Sequence, residues 1–98
     1  MTDIQTLTKE KIKLDEPGMY DVLFLNDNIT TMEFAVKVLK QIYGKTPEQA
    51  LNITQKIHKD GQGIVGSYVH EVAEQKGIET TLAARQENYP LQVKVRKQ

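Results

Sequence analysis

The chain's fold is decided by Tyr20-Asp21-Val22-Leu23-Phe24-Leu25, followed by Asn26-Asp27-Asn28-Ile29 and Thr30-Thr31-Met32-Glu33-Phe34. The first six residues carry enough β-branched and aromatic side chains for a strand. Their continuous apolar end suits a central, well-covered strand. Asn26, Asp27 and Asn28 compete with the backbone for hydrogen bonds, which marks a loop. Thr30 to Glu33 fits a capping box, with Thr30 as N-cap and Glu33 reaching back. The helix this opens repeats Phe34, Ala35, Val38, Leu39 and Ile42 at helical spacing, and Gly44 ends it.

Downstream, Thr46-Pro47-Glu48-Gln49 repeats the start signal with proline at the first helical position. The second helix sets Ala50, Ile53 and Ile57 on one face with His58 beside them, and Gly61 stops it. A second strand is expected over 63–68, anchored by Ile64, Val65 and Tyr68. A third helix is expected from His70 to Gln86, its middle weakened by Gly77 by about 1 kcal/mol relative to alanine. After Pro90, Leu91, Val93 and Val95 alternate with Gln92, Lys94 and Arg96, a strand with one wet face. The order is β-α-α-β-α-β. Three short strands cannot close a barrel, so the expected class is α+β: a small antiparallel three-stranded sheet packed with three helices.

Upstream, residues 1–16 are polar and charged, with Ile4, Leu7, Ile12 and Leu14 scattered among them. Pro17-Gly18 is strong punctuation. The reading is a flexible N-terminal extension over 1–16 and one folded domain over 17–98.

Composition narrows the function classes. The chain has 98 residues, and thirteen Lys and Arg balance thirteen Asp and Glu. A domain that binds nucleic acid by neutralising phosphates needs a clustered basic excess, which is missing. The absence of cysteine excludes disulfides, thiolate nucleophiles and zinc–cysteine sites. Apolar runs such as Val22 to Leu25 fall far short of the roughly 20 residues that span a bilayer. No apolar leader segment opens the chain. These features lead to the expectation of a cytoplasmic protein with no membrane or nucleic-acid partner.

Few residues suit chemistry. Asn26, Asp27 and Asn28 lie where a strand ends and a helix begins, which serves equally as a plain turn or as a ligand contact. His58 can interact with its helix dipole and nearby carbonyls, or face a ligand. Asp27 and His58 could make a catalytic dyad only with a nucleophile, and Ser67, the sole serine, lacks a nucleophile-elbow pattern. Two histidines far apart make no metal site, and Gly61, Gly63 and Gly66 follow neither Rossmann nor P-loop spacing. No enzyme, metal or cofactor is expected. Met32, with Ala35, Thr54 and Ile57, is either core or the lining of an adaptable pocket.

Taken together, Met19-Tyr20-Asp21-Val22, Asn26 to Phe34, Ala50, Ile57-His58, Asp60-Gly61, Gly66, Glu71-Val72-Ala73 with Lys76, and Pro90-Leu91 resemble the ClpS family. The resemblance covers residues 17–98, in order and with family-like spacing. It implies a small α/β sandwich that acts as an adaptor without catalysis. Such adaptors bind an exposed N-terminal Leu, Phe, Tyr or Trp and deliver the substrate to a AAA+ unfoldase coupled to ClpP. Carried over by position, it assigns Asn26, Asp27 and His58 to the substrate's α-amino group. It assigns Ile29, Thr30, Met32, Ala35, Thr54, Ile57 and Leu91 to the side-chain pocket, with Met32 as gatekeeper against β-branched residues. Glu71, Glu74 and Lys76 match positions that dock on the N-terminal domain of a ClpA- or ClpC-type unfoldase. The arm matches the family's delivery extension, and the expected state is a bacterial cytoplasmic monomer.

The chain departs from the family pattern at several positions. Asn28 replaces a common Asp, Ile29 a frequent Tyr and Thr31 a frequent Pro. Ala35 stands where Val is frequent and Thr54 where Met is frequent. Smaller Ala35 loosens the pocket and Thr54 is expected to make its wall more polar, favouring aromatic first residues over Leu. A competing reading from element order alone is a protein-interaction module of ribosomal-stalk type, indifferent to a free peptide N-terminus.

Overall fold

The structure, a computed structural model, describes residues 18–98. The expected arm over 1–16 lies outside the described residues. Six elements follow in order: β1 (Met19–Leu25), α1 (Met32–Gln41), α2 (Pro47–Asp60), β2 (Gln62–Val69), α3 (His70–Gln86) and β3 (Gln92–Lys97). The sheet order is β2-β1-β3, antiparallel throughout, so the apolar β1 is the central strand. Among the described residues, no helix is long and apolar enough to cross a membrane.

Alternation along β1 sends Val22 and Phe24 into one core with Phe34, Val38 and Leu39 of α1, Ile57 of α2 and Ala73 of α3. On the opposite side of the pleat, Asp21 accepts hydrogen bonds from the Ser67 hydroxyl at 2.6 Å and the Gln98 side-chain amide at 2.8 Å. The ladder to β2 shifts between Val22 and Leu23, which leaves Val65 as the extra residue of a bulge, buried in the core.

The helix ends follow local chemistry. Thr46 and Gln49 form the reciprocal box, each side chain accepting from the other's backbone N–H at 3.1 Å. Gly61 closes α2 in the left-handed region, φ 87°, with its N–H on the Ile57 carbonyl at 2.9 Å.

The start of α1 differs from expectation. Thr31, not Thr30, is the N-cap, and its hydroxyl oxygen accepts from the Phe34 N–H at 3.1 Å. The Thr30 hydroxyl instead donates to the Asp27 carboxylate at 2.7 Å. A charged acceptor outcompetes a neutral cap for that hydroxyl. With Thr31 as cap, the third helical position falls on Phe34, which has no acceptor to complete a box.

Two glycines set helix-to-sheet distances in opposite ways. A Cβ on Gly63 would lie 2.8 Å from Ile57 Cγ1, so α2 approaches β2 more closely than any side chain permits. A Cβ on Gly77 would lie 3.6 and 3.7 Å from methyls of Val93 and Val95, an ordinary contact. Gly77 therefore costs helix stability without relieving a clash. Gly63→Ala is expected to destabilise the domain by about 1–3 kcal/mol. Gly77→Ala is expected to stabilise it by up to about 1 kcal/mol. Urea midpoints of the two variants, moving in opposite directions, check both.

Candidate functional site

One residue beyond β1, the Asn26 N–H donates to the Gly61 carbonyl at 2.9 Å. That bond ties the loop after β1 to the end of α2, whose last turn carries His58. From Asn26 the chain turns tightly. Asp27 Oδ1 accepts from the Ile29 N–H at 2.8 Å and the Thr30 N–H at 2.6 Å, while Oδ2 takes the Thr30 hydroxyl. An aspartate that binds backbone two and three residues ahead is a self-made turn.

The loop, α1, α2 and Leu91 surround a cavity of about 270 Å³. Asn26, Asp27 and His58 contribute polar groups to it, and Met32, Ala35, Ile57 and Leu91 contribute apolar surface. Thr30 and Thr54 complete the set of sequence-proposed residues found there. Met32, at the first position of α1, is 44% exposed, whereas Ala35, Thr54, Ile57 and Leu91 are buried. The space is thus apolar within and polar at one side.

Ile29 is the exception among the pocket residues proposed from the sequence. It is 63% exposed and lies outside the lining. The cause is the Asp27 turn, which holds the Ile29 N–H and leaves its side chain in solvent. Thr54 also departs from expectation. Its hydroxyl donates to the Ala50 carbonyl of its own helix at 2.8 Å, so its proton is already committed and the wall is less polar than expected. Sequence reasoning missed Phe24, Leu25 and Thr31 in the lining, while Asn28, a candidate ligand contact with its two neighbours, is present there. Phe24 was within reach of the alternation argument: it follows Val22 on the inward face, at the end of β1 nearest the loop.

Charge at the loop is firmly held. Burial, the largest single influence, pushes Asp27 up, but hydrogen bonds from the Thr30 N–H, the Thr30 hydroxyl and the Ile29 N–H outweigh it. With Arg85 adding its positive charge, the carboxyl sits below its ordinary range. Asp21 is lowered as well, first by the Ser67 hydroxyl, then by Gln98 and the Arg96 charge, against some opposing burial. Among the described residues, no three His, Asp or Glu side chains gather to hold a metal ion.

Of the three residues matched to docking, two line one groove. Glu71 and Glu74 line a shallow groove along α3 with His70, Gln75, Ile78 and Glu79. Glu74 lies 3.3 Å from His70 Nε2. Lys76 is set against α1 instead. Its ammonium donates to the Ile42 carbonyl at 2.7 Å and stands over the Tyr43 and Tyr68 rings at 5.8 and 5.2 Å. The cation–π geometry holds α3 to the end of α1.

The family profile described as ATP-dependent Clp protease adaptor protein ClpS matches residues 15–94. An ATP-dependent Clp protease adapter protein ClpS from Campylobacter jejuni subsp. doylei is 42% identical over 92 residues, covering 94% of this chain and 96% of the relative. One of the same name from Lawsonia intracellularis is 46% identical over 87 residues, covering 89% and 78%. The structure of Agrobacterium tumefaciens ClpS2 bound to L-phenylalaninamide superposes with a TM-score of 0.82 at 26% identity. It covers 85% of this chain and 100% of that one.

The lowered carboxylates predict the acid limb of stability. A carboxyl whose folded pKa is depressed stabilises fully above its unfolded value near about 3.9, and that contribution disappears as pH falls through the folded value. Urea midpoints should therefore hold above about pH 4.5 and fall as the pH drops below the unfolded value. Asp27→Asn is expected to make that drop shallower, at the cost of a lower midpoint at neutral pH.

Proposed function

This chain belongs to the ClpS family of ATP-dependent Clp protease adaptors, and from that premise we propose that it captures polypeptides by their N-terminal residue for degradation. The observation that carries the reading is one cavity holding amine acceptors beside an apolar floor. A free α-amine has a pKa near about 7.7–8.0, so around neutrality it presents charged N–H donors in three directions. The Asn26 amide oxygen, the Asp27 carboxylate and a neutral His58 nitrogen are suitable acceptors. Hydrogen bonds to charged groups contribute roughly 1.5–3 kcal/mol each. An internal peptide offers one neutral N–H, so such a site reads chain ends.

The first side chain then enters among Met32, Ala35, Thr54, Ile57 and Leu91, where burying a Leu or Phe is worth about 1.5–3 kcal/mol. Small Ala35 leaves width, and Thr54 presents a hydroxyl already satisfied by Ala50. Aromatic first residues are favoured over Leu, and Met32 at the mouth selects against β-branched ones. L-phenylalaninamide, the ligand of the ClpS2 neighbour, carries a free α-amine and a benzyl side chain, the two groups this cavity would hold.

The captured substrate passes to the N-terminal domain of a ClpA- or ClpC-type AAA+ unfoldase working with ClpP in the bacterial cytoplasm. Glu71, Glu74 and Lys76 face that partner, Lys76 also tying α3 to the end of α1. Residues 1–16 serve delivery and residues 17–98 serve recognition. The chain acts as a monomer, without catalysis and without a cofactor.

A fluorescence-anisotropy series with peptides differing only at their first residue tests the reading. Phe-, Tyr- and Trp-starting peptides should bind more tightly than Leu-starting ones, and the N-acetylated Phe peptide should not bind. Equal binding of the acetylated peptide overturns it. His58→Phe, which keeps a ring without an acceptor, should weaken binding of the Phe-starting peptide by about tenfold; unchanged affinity removes His58 from the amine site. Deleting residues 1–16 should leave peptide affinity intact and stop degradation in a reconstituted unfoldase–ClpP assay.

A further inference from the structure

Arg85 lies in the last turn of α3, outside the residues that line the cavity. From there a single guanidinium nitrogen, Nη1, donates to two carbonyls of the segment that leaves the helix: Tyr89 at 2.7 Å and Leu91 at 2.9 Å. That segment is a tight reversal. The Tyr89 N–H returns to the Ala84 carbonyl at 2.8 Å, the Asn88 N–H to the Arg85 carbonyl at 3.1 Å, and Asn88 adopts φ 62°. A side chain bridging the carbonyls at 89 and 91 fixes the path between them, Pro90 included. Leu91, buried, forms one wall of the cavity.

The same segment reaches the start of α1. The Tyr89 hydroxyl lies 3.4 Å from the hydroxyl of Thr31, the α1 N-cap, and the Tyr89 ring packs on Phe34 with centroids 5.0 Å apart. Met32 directly follows that cap and precedes Phe34 by two residues. Arg85 thus holds a segment that touches both the Leu91 wall and the helix start carrying Met32. Its charge also reaches Asp27, on the polar side of the cavity.

Resting on the function proposed above, we infer that Arg85 is a positioning residue for N-terminal side-chain selection, acting through the Tyr89 and Leu91 carbonyls. The two N–H bonds of Nη1 lie in the guanidinium plane in fixed directions, one toward each carbonyl, whereas a lysine ammonium rotates freely and is strongly hydrated. Asp27 is held ionised at neutral pH by its own loop's hydrogen bonds, so amine recognition does not depend on Arg85. Arg85→Lys should therefore damage side-chain selection while sparing amine recognition. Arg85→Met, which keeps much of the aliphatic stem but no donor, should damage selection at least as much and spare amine recognition too.

The test uses the full chain and three labelled peptides, Phe-starting, Leu-starting and N-acetylated Phe-starting, read by fluorescence anisotropy. Arg85→Lys is expected to reduce the Phe-to-Leu affinity ratio by about tenfold, the effect of losing roughly one charged hydrogen bond's worth of positioning. Its preference for the free over the acetylated N-terminus should stay near the wild-type value. Arg85→Met should lose the ratio at least as far with its preference for the free N-terminus intact, and it stands as the second variant should Arg85→Lys fail to fold. Leu91→Ala supplies the positional control: in that background, Arg85→Lys should no longer alter the Phe-to-Leu ratio. An unchanged ratio in Arg85→Lys and Arg85→Met, or losses that simply add to those of Leu91→Ala, overturns the inference while leaving the adaptor reading standing. A wild-type chain that binds free and acetylated peptides alike overturns the adaptor reading, and the inference with it.

Discussion

One backbone hydrogen bond, from the Asn26 N–H to the Gly61 carbonyl at 2.9 Å, joins the ends of a strand and a helix on which the site depends. Asn26 is the first residue past β1 and Gly61 the first past α2. Linking them brings the Asn-Asp loop against the turn that carries His58. The bond forms because Gly61 accepts a left-handed φ of 87°, which ends α2 sharply and turns the chain straight into β2. Gly63, two residues on, then lets Ile57 settle onto the sheet. Backbone geometry decides where these polar groups stand before any side chain chooses a rotamer.

The same economy governs the charge. Asp27 holds its own turn with three short bonds, and an ionised carboxylate has about four acceptor directions. One direction remains for a ligand. A carboxylate already fixed by its neighbours loses little side-chain freedom when a cation arrives, which favours binding at small entropic cost. Its ionisation is secured by the same hydrogen bonds. The chain's zero formal charge therefore conceals a local asymmetry at this loop.

Much of this was legible in the sequence where the signal was local. The Thr46–Gln49 box, the stop at Gly61 and the span of α3 all rest on residues within a few positions of one another. The misreadings share a different origin. Thr30 and Thr31 are both good caps, and the choice between them turned on Asp27, whose charge claims the first. The same turn carries Ile29 outward, though the family resemblance assigned its position to the pocket. Lys76 enters the sequence reading only as a docking match, because its partners Ile42, Tyr43 and Tyr68 stand outside any helical period. Thr54 reads as a polar wall until its helix supplies an acceptor one turn back. Gathering Asn26, Asp27 and His58 was beyond spacing arguments, because the sheet does it.

How the sheet does it follows from register. β1 is central, so the residue after it has a neighbour on each side. Leu25 pairs with Gln62 on β2 and Gln92 on β3, which brings Gly61 and Leu91 to the flanks of Asn26. The β2 side reaches that register only through the bulge at Val65. From Met19↔Val69 to Val22↔Gly66 the ladder, continued without a shift, would set Phe24 opposite Ile64. Residues directly opposite share a face of the sheet, so Ile64 would then point inward, into the space Ile57 occupies. With the extra residue taken up by Val65, Phe24 faces Gly63 instead, and Ile64 turns to solvent at 48% exposure. A glycine thus falls where α2 must approach, and a bulky residue falls where nothing opposes it. One inserted residue in an edge strand therefore allows α2 to seat, Gly61 to meet Asn26 and His58 to stand beside the acidic loop.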